Sequence, residues 1–294
     1  MTKRTDNAFI ATLLILLCVA IPSFKAKAQE KPVIYWPYFN LPPQFIIDGS
    51  TPHGMGIGVA KLVQDKMPEF NHVFMHMTPR RIEEELRTGT NNIVVTGLLR
   101  TPSRTAFAAF SDIPCRLTFS MMVVMRKEDQ FRFVMNSKVK LEELINNDNL
   151  YFGYIPGVNY GPFADTINTN ISNPEATNLF AAHDIDQLLL MLKQKRIDWF
   201  VHDSLGAWHA MQTNRFDDSI ALVQAEGYPL SPIYGYMACP QTPSGIEIAG
   251  KVNHALAELV ESGALRRELK RWMPRTLAPA FDKAYKTGFV LPLQ

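Results

Sequence analysis

The stretch GLLRTPSRTAFAAFSDIP, Gly97–Pro114, sets an arginine where anion chemistry is expected. Thr101 and Pro102 have the residue types of an N-cap and a first helical position: threonine accepts an orphan amide and proline tolerates lacking one. Arg104 follows two residues later, near the positive end of the helix dipole, where a cation is disfavoured. A guanidinium and helix amides in one place have a common use, gripping the same anion, and the planar fork pairs bidentately with a carboxylate. The competing account is an arginine paired to a surface acid or simply solvated.

Two further groups invite attention. Asp203 closes IDWFVHD and precedes SLGAWHAMQ, so it stands where a strand ends and a helix begins, the rim at which α/β proteins bind ligands. It serves equally well as the N-cap of that helix. The cluster YWPYF (35–39) ends another strand at a rim, so Tyr38 or Phe39, with Trp36 beside them, either stacks on a ligand or packs in the core. Catalytic constellations are lacking: no HExxH, GxSxG or Gly-rich phosphate loop occurs. His202-Asp203 and His183-Asp184 imitate paired HD metal motifs, but such phosphohydrolases are helical and these pairs fall at strand or helix edges. No metal or cofactor is expected.

The elements that hold these residues alternate between short apolar strands and amphipathic helices. VIYW (33–36), NIVVTG (92–97), TFSMMVVMRK (118–127), LYFGYI (150–155), NLFAA (178–182), IDWFVHD (197–203) and IYGYMACP (233–240) read as strands. Helices are predicted over 57–67, 78–89, 101–109, from about Asn159, and over 184–196, 204–212, 244–263 and 264–273. This rhythm argues for an α/β protein with mostly parallel sheets.

The first residues read as a leader: a basic MTKR, an apolar run, then Ala26-Lys27-Ala28, predicting export to the periplasm with cleavage after Ala28. Leu17 before Cys18 is too bulky for a lipoprotein site, so a freely diffusing protein of a double-membraned bacterium is expected. Lys3, Arg4, Lys25 and Lys27 leave with Asp6, and the remainder lies within one charge of neutral, without a basic tract. Nucleic acid is therefore not an expected partner. No later segment is long and apolar enough to span a bilayer, so the mature protein is not expected to cross the membrane. Cys115 and Cys239 remain; an exported compartment permits a bridge, but two cysteines do not make a disulfide-dependent scaffold.

The order of landmarks resembles the type 2 periplasmic solute-binding proteins, the polar amino acid-binding, family 3-like branch. Thr101-Pro102-Ser103-Arg104 with Phe110-Ser111 and Pro114 matches that family's T-x-x-R…F-S-x-P signature. Pro42-Pro43, RIDWFVHD (196–203), YGYMACP (234–240) and SGALRRELKRWM (262–273) fall at further landmarks, so the resemblance spans almost the whole mature chain. It implies a two-lobed clamshell with two hinge crossovers: signal peptide 1–28, lobe 1 at 29–116 plus 236–294, and lobe 2 at 117–235. Ligand would sit between the lobes and be trapped by hinge closure. Both cysteines would then lie near the hinge.

By the same resemblance Arg104 binds the ligand carboxylate, and Asp203 accepts its amino group from the second lobe. Gly157-Val158-Asn159-Tyr160 forms the turn holding the far side of the carboxylate, with Asn159 an N-cap and Tyr160 leaning into the cleft or packing in its lobe. Three departures stand out. Leu99 replaces a threonine whose hydroxyl helps bind the amine, Met55 replaces an aromatic after Gly54, and Gly58 replaces an acid. These weaken the case for an ordinary α-amino acid and admit an organic anion with a different tail. The implied function is capture of a small carboxylate, as a monomer, for an ABC importer. Alternatives are a ligand-sensing partner of a membrane kinase or cyclase, and a dehydratase of this fold in which Asp203 protonates a leaving hydroxyl of a cyclic carboxylate.

Overall fold

The computed structural model describes residues 31–156, 160–216 and 218–290; the expected leader and Asn159 lie outside them. In chain order the elements are β1 (Val33–Tyr38), α1 (Met55–Gln64), β2 (Asn71–His76), α2 (Pro79–Thr88), β3 (Val95–Leu98), α3 (Pro102–Thr105), β4 (Ala108–Phe119) and β5 (Met121–Arg126). Next come α4 (Gln130–Phe133), β6 (Val134–Met135), β7 (Lys138–Val139), α5 (Leu141–Ile145), β8 (Phe152–Tyr154), α6 (Ala164–Ile171), β9 (Leu179–Ala181) and α7 (Ile185–Lys193). The chain continues with β10 (Trp199–Asp203), α8 (Ser204–Thr213), β11 (Ile220–Ala225), β12 (Pro232–Pro240), α9 (Pro243–Glu261), α10 (Ala264–Arg271) and α11 (Ala278–Tyr285). No helix among the described residues is long and apolar enough to cross a membrane.

Two main cores organise the molecule. One joins Ile34 and Trp36 of β1, Met55 and Val59 of α1, Leu117 and Phe119 of β4, and the apolar stripe of α9 with Phe281 and Phe289. The second runs from Val123 to Ala225 and buries Phe152, Trp199 and Phe200 under α7 and α8. A small satellite of Ile82, Leu86, Val95 and Phe107 lies beneath α2. The described residues from Val33 onward form one compact unit.

The long strands β4 and β12 run between the two cores as an antiparallel pair, from Pro232↔Phe119 to Pro240↔Ala108. The second core's sheet has the order β6-β7-β11-β5-β10-β8-β9, while β3-β12-β4 and β1-β2 serve the first. Mostly parallel sheets are not what forms. β1·β2, β8·β9, β8·β10 and β7·β11 are parallel, whereas β5 runs against both neighbours and β12 against both of its own. The helical connections give parallel pairs; the strands that pass between the cores return against them.

Local signals explain most element ends. Thr78 caps α2 by accepting from Arg81 N at 3.3 Å, Asp184 caps α7 from Gln187 N at 2.8 Å, and Thr242 caps α9 from Gly245 N at 3.1 Å. Two sequence expectations need correction. The helix predicted over 101–109 is a single turn, and the Thr101 hydroxyl meets Ser103 Oγ at 3.0 Å instead of capping it. One turn is a costly nucleus, and pairing with β12 captures the chain from Ala108 before the helix can propagate. Arg104 therefore lies in the last turn of α3, and the dipole argument for it does not hold. The strand predicted over 118–127 is broken at Ser120, whose hydroxyl contacts Pro229 O at 3.1 Å and Ser231 N at 3.2 Å.

Cys115 and Cys239 are free and buried in the first core. Cys115 faces the Gly235–Tyr236 step of β12, three to four residues from Cys239. That is roughly 10 Å of strand, outside the range a disulfide tolerates. Burial pushes both thiols up to about 12, so neither is poised to react.

Candidate functional site

Arg104 is half-buried as a residue, and its guanidinium donates from Nη1 to Leu99 O at 3.1 Å in an exposed hydrogen bond. Among the described residues it has no carboxylate partner. It lines a cavity of about 670 Å³ with Phe39, Leu98 and Phe107 and the α2 residues Ile82, Leu86 and Arg87. All the lining residues fall between Phe39 and Phe107, so this recess is built by the N-terminal third of the described chain. Arg80, Glu83 and Glu84 also line it, and Arg87 is already engaged, pairing with Glu83 at 2.8 Å and stacking on Phe107 at 3.8 Å. Arg104 is left with donors directed at no protein acid, the condition for receiving an external anion.

A second group of polar atoms gathers where β4 leaves the first core. Arg116 and Thr118 alternate onto one face of β4, opposite Gly235 and Ile233. Gln44 approaches from the loop after β1 and donates from Nε2 to Thr96 O at 3.3 Å. Gln44 and Arg116 meet across Gly97, whose φ of 82° lies in the left-handed region. A Cβ there would stand 2.5 Å from Gln44 Nε2 and 3.2 Å from Arg116 Cδ, so glycine is required both by conformation and by space. Arg116 Nε, Thr118 Oγ1 and Gln44 Oε1 are buried without partners.

Asp203 projects from the other side of the crossing. Its Oδ1 accepts from Gly206 N at 2.8 Å, which makes it the N-cap of α8, and its Oδ2 receives His202 Nδ1 at 3.0 Å. Ser204 Oγ reaches Phe119 O at 3.4 Å and anchors this helix start on the end of β4. Asp203 is the opposite charge felt by Arg116, without a closed ion pair between them. Burial works to lower the Arg116 value, with Asp203 opposing it. For His202, burial acts downward, but the hydrogen bond and charge of Asp203 win and raise it. For Asp203, burial acts upward, and His202, the Gly206 amide and Arg116 together leave it below the usual carboxylate range.

This pair gives a pH prediction with a definite sign. A raised histidine stabilises the fold fully below its ordinary value of 6.5, and that contribution is lost as pH rises through the elevated one. The depressed carboxylate contributes above 3.8 and loses its share as pH falls through the lowered value. Melting temperature should therefore decline above pH 6.5, and His202→Gln should flatten that limb. An identical slope in the variant would exclude the assignment.

The remaining sequence candidates scatter. Leu99 is exposed and offers only its carbonyl to Arg104. Phe39 shares the Arg104 recess and packs against Phe45 with centroids 5.9 Å apart. Tyr38 is half-buried and meets His76 edge-on at 5.6 Å. Met55 is 1% exposed inside the first core. Tyr160 is buried in the second core, its hydroxyl accepting from Ile155 N at 3.2 Å. Arg116, Gln44 and Thr118, whose buried polar atoms lack partners, were not singled out by the sequence. A signal for Arg116 existed: a lone charge in the strand-like run IPCRLTF demands either an edge or a function.

Comparison with known proteins agrees with this architecture. The family model for bacterial extracellular solute-binding proteins, family 3, matches residues 38–275. An ancestral cationic amino acid solute-binding protein superposes with a TM-score of 0.64 at 16% identity, over 83% of this chain and 96% of its own. The L-cystine solute receptor of Neisseria gonorrhoeae, unliganded and open, gives 0.57 at 16%, over 82% and 92%. A histidine kinase sensor domain with similarity to periplasmic binding proteins gives 0.58 at 16%, over 83% and 96%. At such identities the likeness is one of fold, a two-lobed periplasmic binding protein architecture. No curated protein matches the chain in sequence. With its family signature running from Tyr38 almost to the end of the described chain, the protein belongs to the bacterial extracellular solute-binding proteins of family 3.

Proposed function

We propose that this protein captures a small carboxylate, an amino acid or related organic anion, and hands it to an ABC importer. The observation that carries the reading is Arg104: an arginine with one side-chain hydrogen bond and no acidic partner among the described residues, lining a cavity of about 670 Å³ beside an aromatic ring. Carboxylate recognition by the arginine fork and stacking on Phe39 are the chemistry such a site offers. The signal peptide, with cleavage after Ala28, would deliver the chain to the periplasm. The lobes would comprise 29–116 plus 236–294, and 117–235, and both boundaries fall inside the crossing strands β4 and β12. Closure of the second lobe would bring Asp203 toward the first.

The test is thermal stabilisation, because a ligand that binds only the folded state raises its melting temperature. Some member of a panel of amino and organic acids should raise it. Arg104→Ala should weaken that ligand roughly 10- to 100-fold, the weight of a charge-assisted hydrogen bond, while the ligand-free melt stays unchanged. A panel without effect, or normal binding by the variant, would refute the assignment. A sensing role, presenting the loaded form to a membrane kinase, is the second reading. The fold-level likeness to a histidine kinase sensor domain favours it. Genes for a permease and ATPase beside this one would favour import; a kinase would favour sensing.

A further inference from the structure

We infer that the recess beside Arg104 selects carboxylic acids with an apolar tail, such as an acyl chain, over those whose tail carries a hydroxyl or an amide. The inference rests on the solute-capture reading above and names the ligand class of that same site.

The lining of the recess divides by burial. Ile82, Leu86, Val95 and Phe107 are each at most 8% exposed and form its inner wall, and the half-buried Phe39 and Leu98 flank them. The charged members Arg80, Glu83, Glu84 and Arg87 are exposed residues of α2 and stand at the rim. Two of these close on each other, Arg87 Nη2 donating to Glu83 Oε1 at 2.8 Å. Among the described residues that line the recess, Thr88 carries the one uncharged polar side chain. Its Oγ1 already donates to Glu84 O at 3.0 Å and accepts from Thr90 Oγ1 at 3.1 Å. The inner wall therefore offers a ligand apolar side chains and no side-chain hydrogen-bonding group.

That division sets the chemistry of the ligand. The Arg104 fork takes the carboxylate, and its hydrogen bond to Leu99 O is exposed, so this end of the ligand stays near solvent. The tail then meets the buried wall. Each methylene moved from water onto such a wall is favourable, whereas a hydroxyl or amide carried there gives up its hydration without a partner. An unpartnered polar group is the larger penalty, and it is what lets a site reject a close analogue. A cavity of about 670 Å³ lies in the ordinary range for small-molecule sites and leaves room for a tail of several carbons.

The test is calorimetric titration of the purified protein with butyrate, hexanoate and octanoate, and with two pairs that differ in the tail: hexanoate against 6-hydroxyhexanoate, and norleucine against glutamine. Affinity should rise about fourfold per added methylene from butyrate to hexanoate. The apolar member of each pair should bind roughly tenfold or more tightly. Arg104→Ala should weaken butyrate and hexanoate by a common factor and leave the increment per methylene unchanged. Leu98→Thr should cut that increment to about twofold or less, whereas Leu98→Met, which keeps an apolar wall, should preserve it. Phe39→Ser makes the same test from a separate segment, with ligand-free melts checking that each variant folds. A flat acyl series, or glutamine binding as well as norleucine with dependence on Arg104, overturns this inference and leaves solute capture standing. An increment that survives both Leu98→Thr and Phe39→Ser, or acyl binding indifferent to Arg104→Ala, puts the tail elsewhere and overturns it too. Failure of every acid on the parent protein overturns both.

Discussion

Arg126→Ala is expected to lower the stability of the chain by about 3 kcal/mol, the cost of breaking a buried ion pair by removing one partner. At the usual scaling for a chain of this size, that is a loss of roughly 6–12 °C in melting temperature. Arg126 ends β5 at 7% exposure. Its Nε donates to Asp129 Oδ2 at 2.6 Å, its Nη1 to Leu192 O at 2.9 Å and Ile197 O at 2.6 Å, and its Nη2 to Asp198 Oδ1 at 2.5 Å. Asp198 in turn accepts from Tyr151 N at 2.8 Å. One side chain thus ties β5, the end of α7, the approach to β10 and the start of β8. Its removal strands two carbonyls and two carboxylates at once. Lysine cannot restore the network, because a point charge lacks the fork that serves four acceptors in a plane. Denaturant unfolding of the alanine and lysine variants measures the effect; a loss below about 1 kcal/mol, the value of a surface pair, would show that the network adds nothing.

Gly235→Ala should cost about 1–3 kcal/mol through overpacking. Gly235 lies on β12 opposite Arg116. A Cβ there would stand 2.5 Å from Gly97 O, 2.8 Å from Gly97 C and 3.0 Å from Gly97 Cα. All three are backbone atoms, so no rotamer change relieves the clash; β3 and β12 must part. Their parting shifts Gly97, against which Gln44 and Arg116 pack. Gly250→Ala is the control. Gly250 sits on α9 with nothing within 4 Å of a built Cβ, so the substitution should be neutral or stabilise by up to about 1 kcal/mol through helix propensity. Equal melting temperatures for Gly235→Ala and the parent would refute the close-approach argument.

The family and its alternation of strands and helices were legible in the chain before any coordinates. T-P-S-R…F-S-x-P is a local pattern, Thr78 and Asp184 are local caps, and Trp199–Asp203 is a short apolar run ending at a polar rim; each depends on near neighbours alone. Less visible were β2, β11 and α11. β2 alternates exposed and half-buried residues with little apolar contrast, and its place is set by pairing with β1 across an intervening helix.

The site divided along the same line. Sequence pattern singled out Arg104 and Asp203, because a fork beside a proline-started turn and an acid at a strand end are patterns of adjacent residues. Only the tertiary structure decided that α3 stops after one turn, that Arg104 opens on a recess beside α2, and that Tyr160 and Met55 are core. It alone brought Gln44, Gly97 and Arg116 together from three separate segments. The reason is physical. Caps and periodicity are short-range properties written in consecutive residues, whereas an unpaired buried donor exists only once distant strands have closed around it and excluded water.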